Sequence, residues 1–254
     1  MLIRPARRSD QWRMAAICGA AFFDEDLFGA TMHPNRAQFP DDVTLFWLRR
    51  LREHWYDWTN HFWVAVDTDE KGEEVVVGMA EWQRQGAGAR AMELSPLDPR
   101  NLLKPLSMLQ NRASAYIYPN RAADPSTADL FDRAIPYSKH HWAVGTRAEN
   151  WYLDLLAVDP AYHGRGFGRQ LVEWGLDRAR EENVHASVMS SYGNEAFYRR
   201  CGYGDIVGWA SEGEGNPIAH VRGGAIMFMV PKVEAAGEGR KRVEEIGQSG
   251  PHKP

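Results

Sequence analysis

Apolar residues recur with two different periods along this chain, and the changes between them predict alternating strands and helices. Residues 2–7 alternate between apolar and polar positions and predict an edge strand, since Pro5 cannot donate to a strand ladder. Ser9-Asp10 is an N-cap pattern that predicts a helix ending near residue 22. A second helix is predicted from Pro40, and its apolar stripe consists of Leu48, Leu51, Trp55 and Trp58.

The pattern changes after residue 60, where strands replace helices. Strands are predicted over 62–66 and 75–82, joined by an acidic turn that contains Gly72. Residues 87–148 lose the regular period and contain two Asp-Pro helix starts, so we expect a helical insertion there. Four further strands and two helices are predicted after the insertion: strands at 151–158, 186–189, 203–209 and 225–230, and helices that end near Asn183 and Arg200.

The composition is typical of a folded protein, since 44% of the 254 residues are apolar and 25% are charged. Such a length suits one large domain or two small ones. Helices interleaved with strands predict an α/β (α+β) class, a mixed sheet covered by helices. We expect a single domain over residues 1–232, containing the insertion, and a disordered tail over 233–254, which is rich in Gly, Glu, Lys and Arg.

The charges nearly balance, with a formal net charge of -4, so no general attraction to nucleic acid or anionic membranes is expected. No apolar run approaches the roughly 18 residues that span a bilayer. The run at 14–23 follows arginines, as in a signal peptide, but the acidic residues around it favour an amphipathic helix. Cys18 and Cys201 allow at most one disulfide, which favours the cytoplasm, with the nucleus as the alternative.

A glycine-rich loop at 163–168 joins a predicted strand to a predicted helix, and this arrangement can hold a phosphate. The first N–H groups of a helix have no internal partner, and the helix dipole favours an anion there. A P-loop would need Gly-Lys-Ser/Thr where the chain has Gly168-Arg169-Gln170. A dinucleotide fingerprint would need G-x-G-x-x-G and an acidic residue after the next strand, and neither is present.

The residues around this loop resemble motif A of the GNAT superfamily of acyl-CoA-dependent N-acetyltransferases, which reads Gln/Arg-x-x-Gly-x-Gly/Ala. Here the motif runs from His163, where Gln or Arg is usual, to Gly166 and Gly168, and residues 155–162 before it also match. Residues 196–203 resemble the short helix of the family that ends in Tyr-x-x-x-Gly-Phe, with Tyr203 in place of Phe. A long helical insertion before motif A resembles fungal members.

The resemblance implies the GNAT fold, a mixed, mostly antiparallel twisted sheet of about seven strands in which strands 4 and 5 splay apart. It also implies acetyl-CoA as the cofactor, with coenzyme A held by its pyrophosphate on the loop and by its pantetheine arm along the strand at 151–158. The implied cofactor-binding residues are Leu156, Ala157, Val158, His163, Gly164, Arg165, Gly166, Phe167, Gly168, Arg169, Ser191 and Asn194. Ser191 and Asn194 are alternatives for one contact, and either could instead cap the short helix.

The reaction that the resemblance implies is transfer of an acetyl group to a primary amine of a small molecule or peptide, by direct attack in a ternary complex. It needs a base, an oxyanion donor and an acid. Tyr198 matches the catalytic tyrosine of the family and is the predicted acid; the structural alternative is a packed tyrosine with its hydroxyl on a backbone carbonyl. The oxyanion donor is expected to be a backbone N–H near Leu156.

Asp154 is the predicted base, and its structural alternative is an ion pair with an arginine. The period of two places Asp154 on one strand face with Tyr152, Leu156 and Val158. Glu81, on the preceding strand, and a water molecule are the other candidates for the base.

Histidines and aromatic residues suggest two further features. Adjacent residues point in different directions, so His140-His141 is not expected to bind one ion, and no set of residues has zinc spacing. No metal is therefore expected. Four aromatic residues that flank or lie in the insertion are candidates to line the amine pocket: Trp82, Tyr116, Tyr118 and Trp142.

Two other functions fit the same residues. One is a catalytically weak or inactive acyl-CoA-binding protein that acts as a sensor or scaffold. It fits because His163 replaces the usual Gln or Arg of the motif and because the sequence does not fix the base. The other is a nucleotide-binding module that uses the same loop. The sequence determines neither the amine, nor the acyl chain length, nor the oligomeric state.

Overall fold

The computed structural model describes residues 2–92 and 97–232, and its centre is a twisted sheet that contains seven strands in these ranges. The strands are β1 (Leu2–Pro5), β2 (Asn60–Thr68), β3 (Glu74–Gln85), β4 (Asn150–Val158), β5 (His185–Ser191), β6 (Ile206–Trp209) and β7 (Gly223–Met229). Their order is β1-β2-β3-β4-β5-β7-β6. Only the β4–β5 pair is parallel among these strands, which confirms the predicted mixed, mostly antiparallel sheet.

Helices cover both faces of the sheet. They are α1 (Gln11–Ala21), α2 (Pro40–His54), α3 (Ala87–Arg90), α4 (Arg100–Ile117), α5 (Leu130–Ser138), α6 (Phe167–Glu182) and α7 (Glu195–Cys201). α2 begins at a proline, has Asp41 and Asp42 in its first turn and has Arg52 and His54 in its last, an order that the helix dipole favours. A π-helical turn, Asp26–Thr31, lies where the sequence predicts a loop.

Two apolar clusters hold the layers together, one on each face of the sheet. Leu171 and Leu176 of α6 pack on one face with Trp82 and Val188. On the other face, α1 and α2 pack on β2 and β3 through a separate set of side chains that includes Met14, Trp47, Leu51, Val64 and Met79. Cys18 and Cys201 are buried free thiols. Within the two described ranges, none of the helices combines the length and apolar character of a membrane span.

A β-bulge in β4 changes which side chains face which helix. Glu81 pairs with Leu155 while Trp82 pairs with Leu153, so Asp154 is the extra residue of the bulge. As a result, Leu155 packs against the α1–α2 cluster, whereas Leu156 and Val158 pack against the α6 cluster. The prediction that Asp154 shares a face with Leu156 and Val158 is wrong, because the bulge reverses the alternation.

The insertion at 87–148 is helical, as predicted. The first Asp-Pro start leads into α4, which packs against α2, where Arg49 donates to the carbonyls of Ser114 and Tyr118. The second gives a short turn, Pro125–Thr127, before α5. Residues 93–96 of the insertion and the predicted tail at 233–254 lie outside the described residues, and the domain boundaries stay a prediction.

Gly175 in α6 is required by its contact with Trp82. A Cβ at residue 175 would overlap atoms of the Trp82 ring, which is fully buried and donates its Nε1–H to the Leu171 carbonyl at 3.1 Å. We therefore expect Gly175→Ala to lower the free energy of unfolding by about 1–3 kcal/mol through overpacking, measured by denaturant unfolding.

Gly19→Ala is the matched control, because it lies in α1 and its added Cβ would meet Thr44 only at 3.5 Å, an ordinary contact. Alanine favours a helix more than glycine, so this variant should be neutral or more stable. Equal losses of stability in the two variants would show that steric overlap with Trp82 is not the cause.

Candidate active site

β4 and β5 separate after four residue pairs. Asn150 to Leu153 pair with His185 to Val188, but β4 continues to Val158 and β5 to Ser191. On its other side, β5 pairs with β7 from Ala186 to Ser191. Beyond the bulge, the backbone groups of β4 that face β5 therefore have no strand partner within the described chain. This is the splay that the resemblance implies, and it opens a gap through the sheet beside Asp154.

The glycine-rich loop lies at the carboxyl end of β4 and presents free backbone donors. Gly164 and Gly166 have φ angles of 76° and 86°, which favour glycine, and Gly166 is the N-cap of α6. The N–H groups of Gly164, Arg165 and Gly166 donate to no other residue of the described ranges. Together with the first turn of α6, they make a donor set suited to an anion.

The side chains of the loop have separate roles. The His163 ring nitrogen Nε2 lies 2.9 Å from the Val158 carbonyl oxygen, so this ring ties the loop to the end of β4. Phe167 is buried in the α6 cluster, so only its backbone faces the loop. Arg165 lies over the Tyr162 ring and 3.5 Å from the Asp67 carboxylate, and with the exposed Arg169 it adds positive charge near the loop.

α7 places Tyr198 beside the start of α6. The Phe197 ring lies 3.6 Å from the position of a Cβ on Gly168, so the two helices touch. Tyr198 is 7% exposed and packs edge-on against Tyr203 with ring centroids 5.6 Å apart. No described residue hydrogen bonds to its hydroxyl, so the carbonyl contact of the structural alternative is not found there. Burial raises the pKa of Tyr198, which keeps its proton at neutral pH.

Four charged or titratable side chains meet on the α2 side of the gap. Arg50 and His54 are four residues apart in α2 and therefore project from the same side of that helix. The Arg50 guanidinium donates to Asp154 at 2.7 Å, and Nδ1 of His54 lies 2.7 Å from Oε1 of Glu81. Asp154 is thus held in an ion pair, as its structural alternative proposed. Glu81 is fully buried, and its Oε2 has no hydrogen-bond partner among the described residues.

Both members of the His54–Glu81 pair have raised pKa values, for different reasons. Burial raises the pKa of Glu81, and the hydrogen bond from His54 only partly offsets this. For His54, burial acts to lower the pKa, but the hydrogen bond and the charge of Glu81 outweigh it, and the pKa lies above the usual 6.5. His54 therefore stands next to a carboxylate that orients its ring, an arrangement suited to proton transfer.

Three of the side chains beside the gap carry groups that can bind a metal ion. The ligand atoms of His54, Glu81 and Asp154 lie within 4.8 Å of one another. Arg50 already supplies a positive charge to Asp154, and it also acts on Glu81. We therefore assign no metal ligand here.

A cavity of about 510 Å³ covers this group of residues. Trp142, predicted to line the amine pocket, does line it and donates its indole N–H to Ser187. The other three aromatic candidates do not: Trp82 lies in the core, while Tyr116 and Tyr118 are 91% and 61% exposed on and just after α4. Hydrophobic burial, rather than ligand contact, accounts for Trp82.

Ser191 and Asn194 are joined by a turn in which the Asn194 N–H donates to the Ser191 carbonyl at 3.2 Å. Ser191 lines the cavity. Asn194 is the N-cap residue of α7 but makes no capping hydrogen bond with its side chain. Its amide is thus available for another contact.

Sequence reasoning missed Arg50 and His54. Both lie in the predicted second helix, between the positions of its apolar stripe, where charged residues are ordinary. Their spacing of four is the only local signal, and it does not point to Glu81, which is 27 residues farther along the chain.

A known protein family matches the part of the chain that contains the glycine-rich loop and Tyr198, but not the part that contains His54 and Glu81. Residues 131–203 match the sequence model of the acetyltransferase (GNAT) family. A solved structure described as histone acetyltransferase HPA2 and related acetyltransferase from Corynebacterium glutamicum is 18% identical and aligns over 90% of this chain and 95% of that one, with a TM-score of 0.54. This likeness shows a common fold.

A second solved structure, a GNAT family acetyltransferase from Brucella melitensis in complex with acetyl-CoA, is 17% identical over 80% of this chain and 82% of its own, with a TM-score of 0.37. Among proteins of curated function, none matches the sequence significantly.

Proposed function

We propose that this chain, in which residues 131–203 match the acetyltransferase (GNAT) family model, transfers an acetyl group from acetyl-CoA to a primary amine. The observation that carries the proposal is the free donor set at 164–166, which lies at the open end of the β4–β5 gap. A diphosphate suits the donors, and an extended arm suits the unpaired edge of β4.

Coenzyme A would be held by backbone rather than by side chains. Gly164, Gly166 and the first turn of α6 would bind its pyrophosphate, with Arg165 and Arg169 nearby. Residues 156–158 of β4 would pair with the pantetheine arm, as an added strand does. Bound acetyl-CoA supplies an acetyl group activated as a thioester.

The side chains around the gap would move two protons. Nε2 of His54, oriented by Glu81, takes the proton of the amine nitrogen as that nitrogen bonds to the acetyl carbon. The Tyr198 hydroxyl gives its proton to the sulfur as the carbon–sulfur bond breaks. Asp154 is engaged by Arg50, and we therefore propose His54 as the base in its place.

Gly166→Ala should weaken coenzyme A binding, because a side chain is strained at φ 86° and the loop would change its N–H directions. We expect the dissociation constant for coenzyme A, measured by calorimetry, to rise about tenfold for each 1.4 kcal/mol of binding free energy that is lost. Binding of NAD or ATP, with none of coenzyme A, would support a nucleotide-binding module and overturn the proposal.

Gly72→Ala is the matched control for this loop. Gly72 also has a positive φ of 81°, but it lies in the β2–β3 turn with no atom within 4 Å of an added Cβ. The control should carry a similar backbone strain and bind coenzyme A as the unchanged protein does. If both variants bind it equally well, the loop at 163–168 is not the pyrophosphate site.

A further inference from the structure

The walls of the cavity above His54 are mostly apolar, although they come from distant parts of the chain. Helix α5 of the insertion contributes Phe131 and Ile135, and Trp142 follows it. Phe28, in the π-helical turn, and Met189, in β5, also belong to the apolar wall. A volume of about 510 Å³ lies within the usual range of small-molecule sites, roughly 300–1,000 Å³.

Two of the three carboxylates in the described lining have their charge compensated by a neighbouring group. Glu25 caps the N-terminus of the π-helical turn, where its Oε2 accepts the backbone N–H groups of Leu27 and Phe28 at 2.9 and 2.7 Å, and the positive end of that turn compensates its charge. Asp154 is paired with Arg50. The exception is Glu81, whose Oε2 is buried without a partner and whose Oε1 lies on His54. Glu81 is thus the carboxylate of the described lining that neither an arginine nor a helix N-terminus compensates, and it is the place for a positive charge.

Positive charges at the lining oppose a second cation. Arg50, Lys139 and Arg222 all line the cavity, and Arg222 is already paired with Asp26. A second ammonium group in the cavity would lose its hydration against apolar walls without gaining a free carboxylate of the described lining. Peptide groups would likewise leave polar atoms unpaired against the wall of Phe131 and Ile135.

We propose that the acceptor is a monoamine with a compact apolar body, which fills the cavity and directs its nitrogen at His54 and Glu81. This inference rests on the proposed acetyl transfer and narrows its substrate class. The amine enters as an ammonium, loses one proton to solvent and a second to His54 as the nitrogen–carbon bond forms, and leaves as an uncharged amide. The product therefore loses the charge attraction to Glu81, which favours its release.

The test is thiol release with amines that differ in one feature. Hexylamine and the α,ω-diamine of the same chain length differ by a second ammonium group, and phenethylamine and a lysine-containing peptide extend the series. We expect kcat/KM for hexylamine and phenethylamine to exceed that of the diamine and the peptide by about 10²-fold.

Ile135→Asp tests the same inference by changing the charge of the cavity while the amines stay the same. Ile135 lines the cavity, yet it is half exposed, so the fold should tolerate the change. The added carboxylate should reduce the preference for hexylamine over the diamine by about tenfold. Leu109→Asp, on the exposed side of α4 and outside the lining, is the charge-matched control and should leave the preference unchanged.

The outcomes separate this inference from the proposed function. Equal or faster release with the diamine or the peptide overturns the monoamine class, while the acetyl transfer itself stands. If none of the amines gives thiol release, in protein shown by calorimetry to bind coenzyme A, both the monoamine class and the proposed acetyl transfer are overturned. A preference for the monoamines that Ile135→Asp reduces and Leu109→Asp leaves intact supports the inference.

Discussion

His54→Asn is expected to lower kcat for acetyl transfer by about 10²–10⁴ while coenzyme A binds as before. The reason is geometric: His54 stands 2.7 Å from Glu81 on the cavity side of the gap, whereas the donors at 164–166 lie at the far end of β4. Steady-state thiol release gives kcat, and calorimetry gives the affinity for coenzyme A. A small loss of kcat would remove His54 from the reaction.

The pH profile tests the same residue by another property. His54 acts as a base only when neutral, so kcat/KM should rise with pH, with a midpoint above 6.5 because Glu81 raises the pKa of the ring. Glu81→Gln removes the charge and leaves burial to lower that pKa, so the midpoint should move to lower pH. The other charged groups near the ring, Arg50 and Asp154, remain a pair in this variant.

His140→Asn is the control for the histidine substitution. His140 is exposed and does not line the cavity, so the same change there should leave both kcat and the pH profile intact. A chelator should not affect the wild-type rate, since Arg50 rather than an ion compensates Asp154. A profile that keeps its midpoint in Glu81→Gln would contradict the assignment of the acidic limb to His54.

Tyr198→Phe should lower kcat by about 10²–10⁴, because the departing sulfur would lose its proton donor. The hydroxyl has no hydrogen-bond partner among the described residues, so its removal should not destabilise the protein, and thermal unfolding checks this. The loss in rate should shrink for an acyl donor whose thiol has a lower pKa, since that sulfur needs less help in leaving. An equal loss with both donors would assign Tyr198 a positioning role.

Tyr203→Phe is the matched control, since Tyr203 lies just after the C-terminal end of α7. Tyr203 loses the same hydroxyl and packs edge-on against Tyr198, but its oxygen is fully buried and unpaired among the described residues. Deleting an unpaired buried hydroxyl should leave the stability unchanged or raise it. The rate should stay near that of the wild type. If Tyr203→Phe loses as much rate as Tyr198→Phe, packing of the aromatic pair, not proton donation, explains both.

The sequence alone was sufficient for the features that depend on neighbouring residues. Strand and helix periods, the proline-led start of α2 and the glycine positions of the loop are local properties, and each predicted element has a counterpart in the described ranges. The loop could be assigned to an anion because a helix N-terminus preceded by glycines has the same free donors in any fold.

The tertiary structure decided the features that depend on register and on distant parts of the chain. One extra residue at Asp154 reverses the faces of β4, and no period of two can show it. The ring of His54 meets Glu81 only because α2 crosses β3, and α5 closes the apolar cavity above them. Such contacts arise from packing of separate elements, so the proposed base and acceptor pocket depend on the tertiary structure, while the glycine-rich loop and its free donors were already indicated along the chain.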